Sequence, residues 1–288
     1  MRGAQGGRAP ETPEERQRRE AEEAERLLDR MSRIAHKIMV LSGKGGVGKS
    51  SVAAGLAIGL SRAGRRVGLL DIDIHGPSIP RLVGLTGTRA RGTRDAIEPV
   101  ESGSGVKVMS IGFLLPDEDD PVIWRGPLKY NVIKQFLRDV DWGDLDYLVV
   151  DSPPGTGDEP LSVAQLVPGA DGAVIVTTPQ ALSISDVRKS ISFSSQLSLP
   201  VLGVVENMSG YVCPSCGERT DIFGAGGGEE MAADLGVPFL GRIPIDPTMV
   251  PAGDDGTLDA YLAGEAAGAK AFAKIVERLV ENVEEKAT

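Results

Sequence analysis

The segment Gly43–Ser50, GKGGVGKS, constrains this chain more than any other stretch. It fits the pattern G-x-x-x-x-G-K-[ST], and its flanks are the ones that pattern needs. The apolar run Ile38-Met39-Val40-Leu41 precedes it as a predicted buried strand, and Ser50–Leu60 (SSVAAGLAIGL) follows as a predicted small-residue helix. Glycines let successive backbone N–H groups converge on an anion, and the N-terminus of the next helix adds partial positive charge. Gly43, Lys44, Gly45, Gly46, Val47, Gly48, Lys49, Ser50 and Ser51 are therefore the expected phosphate cradle. In it Lys49 reaches the β- and γ-phosphates, and the Ser50 hydroxyl ligates Mg²⁺. A nucleoside triphosphate is the ligand this arrangement predicts.

The remainder of the chain continues the alternation. Strands are expected at 38–41, 67–71, 106–111, 147–150, 173–178, 201–206 and 238–243, with helical segments at 50–62, 127–140, 185–197 and 228–235. Strands that are apolar throughout, rather than alternating, predict an α/β fold: a P-loop NTPase with a mostly parallel, doubly wound sheet covered by helices on both faces. Ligands of such sheets bind outside the carboxyl ends of the strands. One ATPase domain is expected over 36–288, after a 1–35 extension with a disordered start and an exposed charged helix following Thr12-Pro13. The last helix carries Phe272, Ile275, Val276, Leu279, Val280 and Val283 at three- and four-residue spacing. Three basic against four acidic residues from Phe272 to Thr288 favour core packing over membrane docking.

Carboxylates end the strands where metal chemistry needs them. Tyr147–Asp151 (YLVVD) reads as a Walker B strand running into Ser-Pro-Pro-Gly-Thr-Gly. Asp151 is expected to hold Mg²⁺ through water, and the Gly155 N–H to meet the γ-phosphate. Asp71 and Asp73 close the second strand. Asp73 is the expected water-positioning group, and Asp71 supports it and contacts Mg²⁺. His75 is expected to pack, and His36 to lie at the surface.

Composition narrows the partners. A formal charge of −10, a pI near 4.9 and 4% aromatic residues argue against nonspecific nucleic-acid binding. The sequence has no apolar run of transmembrane length and no apolar signal-peptide core, so a cytoplasmic protein without membrane contact is expected. Two cysteines, Cys213 and Cys216, fit a reducing compartment.

Lys44 is a second lysine placed directly after the first glycine of the loop. In this the loop resembles the deviant Walker A motif of the MinD/ParA/NifH/ArsA superclass. The resemblance implies a homodimer in which Lys44 reaches the partner's nucleotide, so Lys44, Lys49 and Asp73 are the expected catalytic set. A cation supplied in trans contributes about 10³–10⁵ in rate, roughly 4–7 kcal/mol of barrier. It also implies that Asn207, Pro244 and Asp246 contact adenine, which makes ATP the expected nucleotide.

Cys213-Pro-Ser-Cys216 lies in a predicted loop at 208–222. Two thiolates alone are compatible with zinc, with redox chemistry, or with half the ligands of a [4Fe–4S] cluster completed across a two-fold axis. A wider set of stretches resembles the Mrp/ApbC family of iron–sulfur cluster carrier ATPases: GKGGVGKS, DIDIHGPSIP, MSIGFL, WRGP, VVDSPPGTGD, TTPQ with DVRK, VENMSGYVCPSCG, FGAGGG and PFLGRIPIDP. The resemblance covers about residues 38–250. It implies ATP, Mg²⁺ and a labile [4Fe–4S] cluster on Cys213 and Cys216, slow hydrolysis, and transfer between a cluster assembly scaffold and apo iron–sulfur proteins. Ser51 stands where the family usually has threonine, and the first 35 residues hold neither an N-terminal domain nor a cysteine cluster. A MinD/ParA-type positioning ATPase and an NTPase with a structural zinc in the cysteine loop are the alternatives.

Overall fold

The apolar residues that precede the glycine loop form a long central strand, β1, at Ile34–Ser42, buried from Lys37 onward. A computed structural model describes residues 12–73, 76–93, 96–114, 126–155, 158–213 and 215–285. The further strands are β2 (Val67–Asp71), β3 (Arg91–Gly92), β4 (Ile97–Glu98), β5 (Val100–Glu101), β6 (Lys107–Ser110), β7 (Leu145–Asp151), β8 (Gly172–Thr177), β9 (Val201–Glu206), β10 (Tyr211–Val212), β11 (Arg219–Thr220) and β12 (Phe239–Arg242). Eight of them make one sheet in the order β12-β9-β8-β1-β7-β2-β6-β5, parallel except where β5 returns against β6. β3–β4 and β10–β11 are separate two-stranded ribbons.

The helices are α1 (Pro13–Ser32), α2 (Lys49–Arg62), α3 (Ile79–Leu82), α4 (Gly126–Asp139), α5 (Asp158–Leu166), α6 (Ala181–Gln196), α7 (Gly227–Leu235), α8 (Met249–Asp254), α9 (Leu258–Leu262) and α10 (Ala267–Glu284). The stripe of α10 is internal. Phe272 and Val276 pack where Gly55 and Gly59 of α2 leave room; a Cβ at Gly59 would lie 2.7 Å from Val276 Cγ2. None of the described helices is long and apolar enough to cross a membrane.

Helix α1 begins with a capping box between Thr12 and Glu15 and Pro13 in its first turn. Its Met31 is buried and Leu27 packs on the core. The buried Lys37 of β1 donates to Ile34 O at 2.9 Å and Met31 O at 3.4 Å, which ties the helix end to the sheet. The boundary expected at residue 36 therefore falls inside β1. His36 is half-buried, with Nδ1 3.1 Å from Asp171. The expectations for His75, Trp124 and Arg125 lie outside the described residues.

Candidate functional site

The carboxyl ends of β1, β2, β7 and β9 converge on one edge of the sheet, and parallel register sets the spacing. Asp71 of β2 pairs directly with Asp151 of β7, and Val40 of β1 pairs with Asp151 from the other side. Between Ser42 and Lys49 the chain turns through the glycine loop. Gly48 caps α2 with φ +82°, and a Cβ there would collide with Asn207 Nδ2, so glycine is required for conformation and for space.

Lys49 opens α2 and is 6% exposed. Its Nζ lies 2.6 Å from Asp151 Oδ1, 3.7 Å from Asp73 Oδ2 and 3.4 Å from Ser50 Oγ. Three of the sequence-predicted residues thus meet around the ammonium of a fourth. Asp151 Oδ2 is buried without a hydrogen-bond partner. An orphaned carboxylate oxygen close to a serine hydroxyl is an oxygen donor set of the kind Mg²⁺ takes, so these residues fit the ion.

Asp71 has another task. Its Oδ2 accepts from Ser110 Oγ at 2.9 Å, and its Oδ1 accepts the Asp73 N–H at 3.1 Å. Both oxygens are engaged, so Asp71 braces the turn that carries Asp73. Burial, and after it the adjacent charge of Asp151, raises its pKa from 3.8 to about 8. Burial also raises Asp151, against the opposing pull of Lys49.

These shifts carry a sign. Between about pH 4 and pH 8 the folded chain holds a proton on Asp71 that the unfolded chain releases, so stability falls as pH rises through that window. Asp71→Asn is expected to flatten the decline. Melting temperature against pH, for the nucleotide-free chain and the variant, checks this; parallel curves would refute it.

A cavity of about 240 Å³ is lined by Lys44, Gly45, Gly46, Lys49, Ser50 and Asp73. It adjoins, through Gly48 and Ser51, a cavity of about 340 Å³ lined by Asn207, Met208, Pro244, Ile245, Asp246 and Met249. The first is polar and suits phosphates; the second has apolar walls and suits a base. Lys44 faces the first, and among the described residues no carboxylate lies within ion-pair distance of it. Gly155, at φ +103°, donates its N–H to Ser42 O at 3.0 Å. Asn207 Nδ2 donates to Val47 O at 2.9 Å, linking the base cavity to the phosphate loop. Asp246 accepts from Thr248 Oγ1 at 2.6 Å and Tyr261 OH at 2.8 Å, which stiffens the wall of the base cavity.

Glu206 was not singled out by sequence reasoning. It is fully buried and accepts from the Gly226 and Gly228 N–H groups and from Ser209 Oγ. It anchors the glycine-rich turn before α7 to the strand end that leads into Asn207. The available signal was an acid closing an otherwise apolar strand (VLGVVE).

Cys213 and Cys216 are free thiols in the turn of the β10–β11 hairpin, Cys213 half-buried and Cys216 exposed. The Ser215 N–H first, then the N–H and thiol of Cys216, pull the Cys213 pKa below its ordinary value, which favours the metal-binding thiolate. Among the described residues no group of three or more His, Cys, Asp or Glu is placed to hold a metal ion. The hairpin is stitched to the base-cavity wall: Ser209 N–H donates to Ile243 O at 2.9 Å and Ile245 N–H to Gly210 O at 2.7 Å.

Comparison with known proteins finds relatives along most of the chain. An iron–sulfur cluster carrier protein of Methanocaldococcus jannaschii is 52% identical over 261 residues, 91% of this chain and 89% of the relative. The cytosolic Fe-S cluster assembly factor CFD1 of Kluyveromyces lactis is 53% identical over 228 residues, 77% and 81% of the two chains. Among solved structures, a nucleotide-binding protein of Archaeoglobus fulgidus in complex with ADP superimposes with TM-score 0.75 at 44% identity, covering 82% of this chain and 93% of that one. The ParA sequence model described as NUBPL iron-transfer P-loop NTPase matches residues 33–280, and the chain belongs to that family.

Proposed function

We propose that the chain is an ATP-hydrolysing carrier of a labile [4Fe–4S] cluster, working as a cytoplasmic homodimer between an assembly scaffold and apo iron–sulfur proteins. The observation that carries this reading is the pair of free cysteines, Cys216 exposed and Cys213 half-buried, on a hairpin hydrogen-bonded to the base-cavity wall. Each copy brings two thiolates, and a cubane takes four. Two hairpins facing across a two-fold axis complete the set. The names of the archaeal and yeast relatives support the same cargo.

Ser50 and Asp151 would hold Mg²⁺, which when bound offsets phosphate charge. Lys49 leaves its carboxylates for the β- and γ-phosphates, Asp73 orients water held on the Asp71 brace, and Lys44 serves the partner's nucleotide. Movement of the base-cavity wall on turnover reaches the cysteine hairpin through the Ile243 and Ile245 backbone bonds. Transfer is ligand exchange: an acceptor thiolate bonds to iron as a Cys213 or Cys216 thiolate leaves, with no change in electron count. The apolar stripe of α10 is used by the core, which leaves a membrane-positioning role without its docking face.

Cys213→Ala and Cys216→Ala are each expected to abolish cluster uptake after anaerobic reconstitution while keeping ATP affinity within about twofold, because the hairpin lies outside both nucleotide cavities. Visible absorbance and nucleotide titration on the same samples check this. A variant that retained its cluster would overturn the assignment.

A further inference from the structure

A cavity of about 540 Å³ lies behind the base-cavity wall, sharing only Pro244 with the base cavity. Its sides are the β10–β11 hairpin, the strand β12 and helix α10. The lining carries five cations, Arg219, Arg242, Lys270, Lys274 and Arg278, and a single acid, Glu229. That is a local concentration of positive charge on a chain whose formal charge is −10.

Some of this charge is already compensated. Arg219 pairs with Asp221, Lys270 with Glu265, and Arg242 with Glu229 and the buried Glu206. Lys274 and Arg278 differ: among the described residues neither has a carboxylate within ion-pair distance, and Arg278 donates only to Leu240 O at 3.0 Å. Lys270, Lys274 and Arg278 recur every four residues, which places them on one face of α10 about 6 Å apart. Extended peptide carboxylates recur at a similar interval on one side, two residues apart.

We propose that this cavity docks an acidic peptide segment of the protein that receives the cluster; this rests on the carrier reading above. Three features favour a peptide. The floor includes β12, the outermost strand of the eight-stranded sheet, along which an extended segment can run beside the Arg278 that already meets Leu240 O. Val212, 40% exposed, and the half-buried Phe239 offer apolar contact between the charges. The volume lies within the usual range for a ligand pocket. A bilayer is disfavoured because the site is concave and the apolar face of α10 is buried. Val212 directly precedes Cys213, so a segment held here lies next to the cargo ligands.

The test uses the full chain and a fluorescein-labelled acidic peptide, Asp-Glu-Asp-Leu-Glu-Asp, read by anisotropy with and without a reconstituted cluster. Saturable binding is expected to weaken about tenfold or more in Lys274→Glu, to return in Lys274→Arg, and to weaken as salt rises. Equal binding by wild type and Lys274→Glu, or no binding, would overturn the proposal. So would full displacement by equimolar citrate, which would mark a small-anion site, or binding of phosphatidylserine vesicles without the peptide, which would mark a membrane surface. Peptide binding by a chain that takes up no iron would separate failure of the carrier reading from failure of the groove.

Discussion

Replacing Lys49 with alanine lowers ATP turnover by at least about 10²–10³-fold and weakens triphosphate binding, because it removes the cation that meets the developing phosphate charge. The geometry makes the variant informative in a second way. Lys49 Nζ lies 2.6 Å from Asp151 and 3.7 Å from Asp73, inside a region where Asp71 and Asp151 already have raised pKa values. Losing the ammonium leaves a buried carboxylate without its partner, a change that costs about 3–5 kcal/mol when the charge persists. Asp151 is instead expected to take up a proton, since burial already pushes it that way. The variant should therefore fold, with its stability falling more steeply as pH rises. Turnover, nucleotide titration and melting curves on one preparation separate the effects. A folded variant hydrolysing ATP at the wild-type rate would show that Gly43–Ser50 is not the catalytic phosphate loop.

Lys44→Ala is expected to lose about 10³–10⁵ in turnover, the range for a cation supplied in trans, with ATP affinity largely kept. Lys44 lines its own phosphate cavity without a carboxylate partner among the described residues, so its removal strands no buried charge. Mixing Lys44→Ala with Lys49→Ala tests the direction of the contact. A mixed dimer has one site in which an intact Lys49 pocket meets an intact Lys44 from the other chain, and partial activity should return. A strictly monomeric chain with no rescue would contradict the trans role.

Much of this machinery was legible in the residues. Continuous apolar runs marked β2 and β9 at their observed limits, and β1, β7, β8 and β12 within a few residues, because strands buried on both faces carry unbroken hydrophobicity. The glycine loop was legible because few residues other than glycine tolerate the φ and the close approach of Asn207 at Gly48. Partnerships across the sheet were less so. Asp71 and Asp73 are neighbours in sequence, yet the carboxylate that raises Asp71 is Asp151, 80 residues away and brought alongside by parallel register. Ser110, which donates to Asp71, gave no sequence signal, since a serine at a strand end is ordinary. Short elements such as β5, α8 and α9 escaped because their lengths leave too little periodicity to read.

The iron and sulfide content of the anaerobically reconstituted protein tests the central claim most directly. Each chain has two cysteines, both on one hairpin, so a shared cubane requires about four irons and four sulfides per two chains. The cluster is also expected to be lost readily to competing thiols, because Cys216 is exposed. Tightly held zinc in place of iron, with no iron or sulfide taken up under reducing conditions, would contradict the account and make the cysteine hairpin a structural zinc site.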